Sequence, residues 1–385
     1  MAETRGGPLT EKAQIRLCVV LPHVAQYFSP LFDALAKDPR IALQVVYASK
    51  AGLRPMFDAG FGREVAWDVP LVDGHPHVFL DDSSDSRGRV PLRSLPRLLS
   101  SVREADVVVI HGHASLLAWA AAVAAWLCKV PYLTRSDATQ RTVRPHWDPR
   151  TLLAKWFARR SNGALASSER NAALQRELGS TYTPLVPLTV DVSRFAREAR
   201  SVTRLEARRR LGLPDGPVVG YVGKFVAHKR IMDLVEAVHL MHPRPHLLFA
   251  GDGPLRGSLE QRADGEEGIT ILGFQNQLSM PAVLAALDVL VLPSDYEPWG
   301  LIVHEALSCG VVPVVSDMVG CGPEIVEGRG QIYPVADVHA LAAAVSRALA
   351  TDGEAFGEHV QAFIKQYSIE QTAQQYIDAV SAVAP

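Results

Sequence analysis

The sequence predicts an α/β protein with two doubly wound domains, each built on a parallel sheet, that face a central cleft. Short apolar runs of strand length alternate with helix-like segments in both halves of the chain. The two series are separated by residues 184–191, which contain two prolines and no helical period. The chain has 385 residues, 48% of them hydrophobic, which is enough to form two complete cores.

The amino-terminal series begins with an apolar run that predicts a buried strand. The strands predicted in this half are residues 16–21, 41–48, 107–110 and 130–134, and the helices are residues 30–36 and 116–128. The second helix is rich in alanine and too short to span a bilayer, so we expect it to be buried. The region from residue 50 to residue 95 shows little periodicity and predicts a long loop, of the kind that is often functional.

The alternation of strands and helices restarts after the proline-containing segment. The strands predicted there are residues 218–222, 246–250, 270–272, 289–292 and 311–316, and the helices are residues 231–239 and 281–286, one around Glu305, and residues 338–349. A helical period returns near the end of the chain. We therefore predict an amino-terminal domain of residues 1–189, a carboxyl-terminal domain of residues 190–367 and a terminal helix at residues 368–385.

The net charge of −2 hides an asymmetry between the two halves. Residues 1–195 carry a formal charge of +6, and the remainder carries −8. The basic half is compatible with an anionic acceptor or with peripheral membrane association, and equally with ordinary surface scatter. The four arginines of residues 204–210 are predicted to lie on a solvated helix and not to bind nucleic acid.

The cysteines and the amino terminus predict a cytoplasmic protein. Cys18, Cys128, Cys309 and Cys321 each lie in or beside an apolar run without the spacing of a metal site, so we expect reduced, buried thiols. Residues 1–14 are polar and lack the apolar core of a signal peptide. The sequence does not predict an oligomeric state.

The most informative stretch joins the strand at residues 289–292 to the helix around Glu305. Pro298 favours an extended backbone at Glu297, and Gly300 lets a ligand approach the backbone closely. The free N–H groups at the start of the helix favour a phosphate. A carboxylate near a phosphate is costly unless it accepts hydrogen bonds from sugar hydroxyls. The pattern therefore predicts a site for a nucleotide sugar.

Two lysines follow the first predicted strand of the carboxyl-terminal half. Lys224 comes directly after Gly223 and Lys229 five positions later, and both suit a diphosphate because point charges tolerate imperfect geometry. Two surface lysines account for this pattern equally well.

Glycine turns follow the next two predicted strands. Gly251 and Gly253 form one of them, which also fits a plain tight turn. The other is Gly273-Phe274, whose aromatic ring could equally belong to the core. Each signal is modest alone, but their order and spacing strengthen the nucleotide-sugar interpretation.

From about Arg16 onward, the chain resembles the retaining nucleotide-sugar glycosyltransferases of family 4, which have the GT-B fold of two Rossmann-like domains. The E-x7-E motif of that family matches residues 297–305. Further matches are residues 190–191 with Phe195, and residues 251–254, 292–294, 309–310 and 323–326. The resemblance is nearly continuous over the carboxyl-terminal half and looser over the amino-terminal half.

The resemblance implies a role for each matching residue. Glu297 would hydrogen-bond the hydroxyls of the donor sugar, Glu305 would hold the nucleotide ribose, and Lys224 and Lys229 would neutralise the diphosphate. The terminal helix would cross back onto the amino-terminal domain. The other donor contacts implied are the backbone of Gly300 and Leu301, the adjoining Pro298 and Trp299, the turns at Gly223, Gly251 and Gly253, and the Gly273-Phe274 turn along the base.

Several positions depart from the family pattern. Lys224 stands where the family usually has arginine, so a bidentate phosphate contact becomes a point charge. The usual histidine after the strand ending at Thr134 is replaced by Arg135. His111 and His113 follow a strand and are predicted to point into the cleft, where substrate contact and structural packing are equally open. No third ligand is spaced to complete a metal site with them, and we predict that no metal is required.

The resemblance implies a retaining glycosyltransferase whose co-substrate is a nucleoside diphosphate-sugar, most commonly a UDP-sugar, with no permanently bound cofactor. The hydroxyl acceptor could be a small molecule, a glycan or a lipid-linked compound. Two alternatives stay open: a GT-B pseudo-glycosyltransferase that joins the donor to a group other than a sugar hydroxyl, and a nucleotide-sugar-binding protein without turnover.

Overall fold

The structure, a computed structural model, describes residues 14–84, 87–138, 147–266 and 268–385. Residues 1–13, on which the signal-peptide prediction depends, lie outside this part of the chain. The described residues form two parallel sheets of six strands each. Alternate residues of the first strand enter separate apolar clusters, Leu17 and Val19 in one and Cys18 and Val20 in the other, so both faces of that sheet are covered. The predicted α/β class with two doubly wound domains is confirmed.

The amino-terminal half contains eight strands and five α-helices within the described residues. Its strands are β1 (Ile15–Leu21), β2 (Ile41–Tyr47), β3 (Met56–Asp58), β4 (Arg63–Val65), β5 (His77–Phe79), β6 (Val107–His111), β7 (Tyr132–Ser136) and β8 (Gly163–Ala166). Its helices are α1 (Ser29–Lys37), α2 (Leu95–Arg103), α3 (Leu116–Cys128), α4 (Pro149–Arg160) and α5 (Glu169–Leu178). The sheet order is β5-β2-β1-β6-β7-β8, and β3 pairs with β4 as an antiparallel hairpin.

The carboxyl-terminal half repeats this architecture. Its strands are β9 (Val218–Lys224), β10 (His246–Asp252), β11 (Ile269–Gly273), β12 (Val289–Leu292), β13 (Val312–Ser316) and β14 (Gln331–Tyr333). Its helices are α6 (Val192–Arg200), α7 (Arg204–Arg210), α8 (Ile231–His239), α9 (Arg256–Ala263), α10 (Met280–Ala285), α11 (Leu301–Ser308), α12 (Val338–Leu349), α13 (Gly353–Ile364) and α14 (Ile369–Ser381). The sheet order is β11-β10-β9-β12-β13-β14.

Both sheets have the strand order of dinucleotide-binding folds. In these folds the first three strands are added toward one edge of the sheet, and the order then reverses, so that the fourth strand pairs with the other side of the first. That reversal lies between β1 and β6 in one sheet and between β9 and β12 in the other. Ligands of such sheets bind beyond the carboxyl ends of the strands at the reversal. Lys224 ends β9, and Glu297 lies on the connection that follows β12, so the two residues flank this position.

The long loop predicted for residues 50–95 is only partly correct. The structure places the β3–β4 hairpin and the edge strand β5 there. Each of these strands has three residues, which is too short to show a period of two. β5 forms because its backbone pairs in parallel with β2 from Val45 to Tyr47.

The expectation that α3 is a buried helix is wrong for one of its faces. Ala118, Ala121 and Ala125 are buried, but Trp126 is 69% exposed and Leu127 is 61% exposed. Within the described residues, no helix is both long and apolar enough to cross a membrane.

The solvated helix predicted for residues 204–210 is also only partly exposed. The guanidinium of Arg208 is buried and donates to Asp288, with 2.5 Å between Nη2 and Oδ2, and Arg204 donates to the other oxygen of Asp288. Two arginines of α7 therefore hold the carboxylate that precedes β12.

The predicted domain boundaries stay predictions. In the structure, α14 packs against α1, and Gln374 of α14 accepts a hydrogen bond from Arg40. All four cysteines are free; Cys18 and Cys321 are buried, whereas Cys128 and Cys309 are partly exposed.

Candidate active site

The turn between β12 and α11 forms one wall of the cleft. Gly300 caps α11 with a left-handed backbone (φ = 100°), a conformation that most other residues adopt only with strain. The carbonyl oxygen of Glu297 accepts from the N–H of Gly320 at 2.9 Å. Trp299 is 2% exposed and donates from Nε1 to Nε2 of His304 at 3.1 Å. The indole therefore anchors the turn in the core, and only its backbone can face a ligand.

Lys229 and Glu297 form an ion pair in this wall. The ammonium of Lys229 donates to the carboxylate of Glu297, and the two side chains are only 15% and 17% exposed. Sequence reasoning predicted both residues as donor ligands but did not predict that they pair. The pair keeps both charges at the cleft surface, where a diphosphate and a sugar hydroxyl could each engage one partner.

Glu305 lies deeper, on the first turns of α11. Its side chain is almost fully buried, and burial raises its pKa to about 8, although the nearby charge of Arg194 opposes the shift. Burial therefore favours the protonated form of this carboxyl group. Arg194 was not predicted as a site residue, although it lies between Asp191 and Phe195, which both match the family pattern.

The β3–β4 hairpin brings the amino-terminal domain against the carboxyl-terminal wall of the cleft. Oδ2 of Asp58 lies 2.8 Å from Nζ of Lys224. Burial raises the pKa of Asp58, but hydrogen bonding and the charge of Lys224 outweigh burial and hold that pKa below its usual value. The ring of Phe61 packs edge-on against Phe274, with 4.9 Å between centroids. The hairpin therefore occupies the surface that the resemblance assigns to the base and the diphosphate.

Two adjoining cavities form the cleft. One, of about 570 Å³, is lined by residues from both domains. Lys224, Lys229 and Glu297 lie in its carboxyl-terminal wall. The other, of about 440 Å³, contains Glu305 and Arg194 and shares Gly223 and Leu301 with the first. Pro298, Trp299 and Gly300 also line the larger cavity. The structure thus brings together the predicted residues of β9, of the turn after β12 and of α11.

The two predicted histidines do not line this cleft. His111 is buried beneath Phe28, with 4.7 Å between ring centroids, and burial, aided by Arg135, lowers its pKa well below the usual value. His113 instead lines a groove of about 450 Å³ between α3 and α4. The end of the strand therefore turns the ring of His111 into the core and places His113 beside α4, and a substrate contact by either histidine stays a prediction.

The predicted glycine turns lie beside the hairpin. A methyl group on Gly251 would approach the carbonyl oxygen of Gly223 to 1.8 Å, and one on Gly253 would approach that of Gly60 to 2.7 Å. Packing alone therefore demands glycine at residue 251. Gly273 ends β11, and the ring of Phe274, the next residue, lies under the guanidinium of Arg63.

An acidic residue that sequence reasoning did not assign to the site lies on the amino-terminal wall. Asp137 lines the larger cavity, and its Oδ1 has no hydrogen-bond partner among the described residues. Burial raises its pKa, opposed by Arg135, which is 2% exposed. Only the replacement of the family histidine by residues 135–137 signalled this position in the sequence. Among the residues described, no cluster of histidine, cysteine or carboxylate side chains could hold a metal ion.

Part of the carboxyl-terminal half of the chain matches a known protein family. Residues 216–351 match the family model described as glycosyl transferases group 1. The chain is 33% identical to 2-deoxystreptamine glucosyltransferase of Streptomyces kanamyceticus, over 60% of this chain and 66% of that protein. It is 26% identical to sulfoquinovosyl transferase SQD2 of Arabidopsis thaliana, over 86% of this chain and 74% of that protein. The chain spans just under two thirds of the first of these relatives.

Solved structures show the same fold. HepE from Anabaena in complex with UDP superposes with a TM-score of 0.73 at 18% identity, over 96% of this chain and all of that one. Sucrose-phosphate synthase from Thermosynechococcus elongatus gives a TM-score of 0.66 at 21% identity, over 96% of this chain and 99% of that one. The fold is therefore that of GT-B glycosyltransferases. The family match and the relatives support its assignment to the group 1 glycosyltransferases.

Proposed function

We propose that the protein is a retaining glycosyltransferase of family 4 that transfers a sugar from a nucleoside diphosphate-sugar to a hydroxyl acceptor. The observation that carries this proposal is the Lys229–Glu297 pair beside the start of α11, with Lys224 in the same cavity. Two cations and free helix N–H groups suit a diphosphate, and the paired carboxylate suits a sugar hydroxyl.

The proposed donor is a UDP-sugar. HepE, which has the same fold, was solved in complex with UDP in one structure and with UDP-glucose in another. In this chain, the nucleoside would bind in the smaller cavity, because that cavity is lined by Glu305, the residue proposed to hold the ribose, and by Arg194. The ribose hydroxyls would donate to Glu305, which would lose its proton as the nucleotide binds.

The proposed chemistry needs stabilisation of the departing diphosphate. Lys224, Lys229 and the first N–H groups of α11 would supply it without a metal ion. Retention follows if the acceptor oxygen attacks the anomeric carbon from the face that the diphosphate leaves. In that step the C–O bond to phosphate breaks, the C–O bond to the acceptor forms, and the acceptor proton passes to the departing phosphate oxygen. Closure of the cleft would exclude water and limit donor hydrolysis.

The acceptor would bind on the amino-terminal wall. Asp137 would accept a hydrogen bond from an acceptor hydroxyl, because it lines the larger cavity and its buried Oδ1 has no partner among the described residues. The acceptor group proposed here is a hydroxyl, in a cytoplasmic glycan or secondary-metabolite pathway.

A thermal-shift panel with UDP, GDP, ADP and dTDP tests the donor. At about a hundredfold over its dissociation constant, a binding nucleotide adds roughly 2.7 kcal/mol of stability, which raises the melting temperature by several degrees. UDP should stabilise the wild type and have little effect on Glu305→Ala. A shift with a different nucleotide would replace UDP in the proposal, and no shift with any of them would contradict the donor site.

Product analysis tests the reaction. Incubation of a UDP-sugar with a panel of hydroxyl acceptors should release UDP and yield a glycoside whose anomeric coupling constant matches that of the donor. An inverted product would overturn retention. Binding of UDP without release from any donor would favour a nucleotide-sugar-binding protein, and a product joined to a group other than a hydroxyl would favour a pseudo-glycosyltransferase.

A further inference from the structure

A surface of exposed apolar side chains covers neighbouring parts of α3 and α4. It includes Val123, Trp126 and Leu127 on α3 and Leu152, Leu153 and Trp156 on α4, each between 47% and 69% exposed. Their spacing is helical, so each helix presents a continuous stripe. We call these six residues the α3–α4 surface. A contiguous exposed apolar patch on a protein marks a site of interaction.

The two stripes belong to one surface because the helices touch. Trp119 of α3 stacks on Trp156 of α4, with 5.2 Å between ring centroids. The guanidinium of Arg160 lies 5.6 Å from the centre of the Trp156 ring. Arg160 also lines a depression of about 550 Å³ together with Trp126, Leu127 and Lys129. Arg160 thus joins the end of α4 to the end of α3.

The two helices that form this surface contain only positive charges, although Asp148 caps the start of α4. The sequence of α4 contains Arg150, Lys155, Arg159 and Arg160 and no acidic residue, and α3 contains no charged residue at all. The amino-terminal half carries the excess of positive charge noted above. Tryptophan and arginine side chains that place an apolar body beside a polar end suit the boundary between lipid headgroups and acyl chains. Basic residues next to them attract anionic headgroups.

We propose that the α3–α4 surface docks the protein on an anionic lipid bilayer, with α3 and α4 lying along the headgroup region. The positive charge favours a bilayer over a second copy of this chain, because two copies would bring α4 and its four cations against each other. Docking of this kind is independent of the donor site and does not depend on the function proposed above.

Vesicle flotation tests this proposal with the full-length protein. Vesicles of phosphatidylcholine alone and with 30% phosphatidylglycerol would be compared at low salt. Wild type should bind the anionic vesicles at least tenfold more tightly than the neutral ones. Trp126→Ser/Leu127→Ser should bind the anionic vesicles at least tenfold more weakly than wild type. The matched control is Leu205→Ser/Leu240→Ser, which removes two exposed leucines of the carboxyl-terminal half and should bind like wild type.

A second measurement covers the case in which the surface variant does not fold. Brominated phosphatidylcholine mixed with phosphatidylglycerol should quench the tryptophan fluorescence of wild type on binding, because Trp126 and Trp156 would lie at acyl-chain depth. Failure of wild type to bind anionic vesicles would overturn the proposal, as would unchanged binding by a folded surface variant or absence of quenching on bound vesicles. A dimer that the surface variant abolishes, without vesicle binding, would assign the surface to a second copy instead. Loss of binding in Glu305→Ala would contradict independence from the donor site.

Discussion

Nζ of Lys224 and Oδ2 of Asp58 lie 2.8 Å apart, although 166 positions separate them in the chain. The lysine ends β9 of the carboxyl-terminal sheet, and the aspartate ends β3 of the amino-terminal hairpin. Both cations proposed to bind the diphosphate are thus paired, Lys229 with Glu297 and Lys224 with a carboxylate from the opposite domain. A nucleotide that binds here must compete with Asp58 for Lys224.

Asp58→Asn is expected to strengthen UDP binding. The two side chains are 39% and 32% exposed, so solvent screens their attraction, and such pairs contribute about 0–1 kcal/mol. The dissociation constant for UDP should therefore fall by up to about fivefold in calorimetry. Asparagine keeps an oxygen that can accept from the N–H groups of Gly60 and Phe61, as Asp58 does. Asp82→Asn, which breaks the Lys50 pair outside the cleft, serves as control, and weaker UDP binding by Asp58→Asn would contradict competition.

Lys229→Ala is expected to destabilise the fold more than Lys224→Ala. Removal of Lys229 leaves the carboxylate of Glu297 largely buried without its partner, which should cost about 2 kcal/mol. Removal of Lys224 leaves the more exposed Asp58 able to hydrate, so its cost should stay below about 1 kcal/mol. Urea unfolding measures both values. Both variants should also lose UDP affinity.

The double variant Lys229→Ala/Glu297→Gln separates the two effects. It should recover much of the stability lost by Lys229→Ala, because no unpaired charge remains, but it should not recover UDP binding. Equal stability of all three lysine variants would show that the Lys229–Glu297 pair does not act as described.

Glu305→Gln is expected to remove a pH dependence of stability. The pKa of Glu305 is raised to about 8 in the folded protein, and in the unfolded chain it has the ordinary value near 4.5. The folded state therefore holds an extra proton between these values, and the resulting stability is complete below about pH 4.5 and is lost as pH rises through about 8. At one pKa unit per about 1.4 kcal/mol, the total loss is on the order of several kcal/mol.

Urea unfolding from pH 5 to pH 9 measures this dependence. Wild type should lose stability relative to Glu305→Gln as the pH rises, with the difference levelling off above pH 8. Glu236→Gln, which changes an exposed carboxyl group on α8, should follow the wild-type curve. Parallel curves for wild type and Glu305→Gln would show that this carboxyl group ionises normally in the folded protein.

Gly251→Ala is expected to destabilise the protein by more than about 2 kcal/mol. Its methyl group would meet the backbone carbonyl of Gly223 at 1.8 Å, and neither neighbouring strand end can move without breaking the β9–β10 ladder. Gly257→Ala is the matched control, because that residue lies in α9 with open space around it. Alanine there should stabilise by about 0.5–1 kcal/mol. Thermal unfolding compares the two, and a tolerated Gly251→Ala would contradict the packing described.

Regular elements with many local contacts were predicted well from the sequence. The bounds of α8, α12 and β12 agree with the structure to the residue, since each has an apolar pattern of clear period or length. The hairpin at residues 56–65 was missed because its strands are short and are held by contacts with the other domain. The burial of Arg208 was missed because charge alone predicts exposure, whereas its partner Asp288 lies eighty positions away.

The sequence by itself determined the α/β class, because apolar runs of element length are local patterns. Its prediction of Glu297 and Glu305 as donor ligands also depends on a local pattern, their positions at the two ends of one short segment. The tertiary structure decided how those residues are charged and paired. It joined Lys229 to Glu297, placed Asp58 on Lys224, buried Glu305 and turned His111 into the core. Pairing and burial depend on which distant segments meet in space, and no spacing within one segment contains that information.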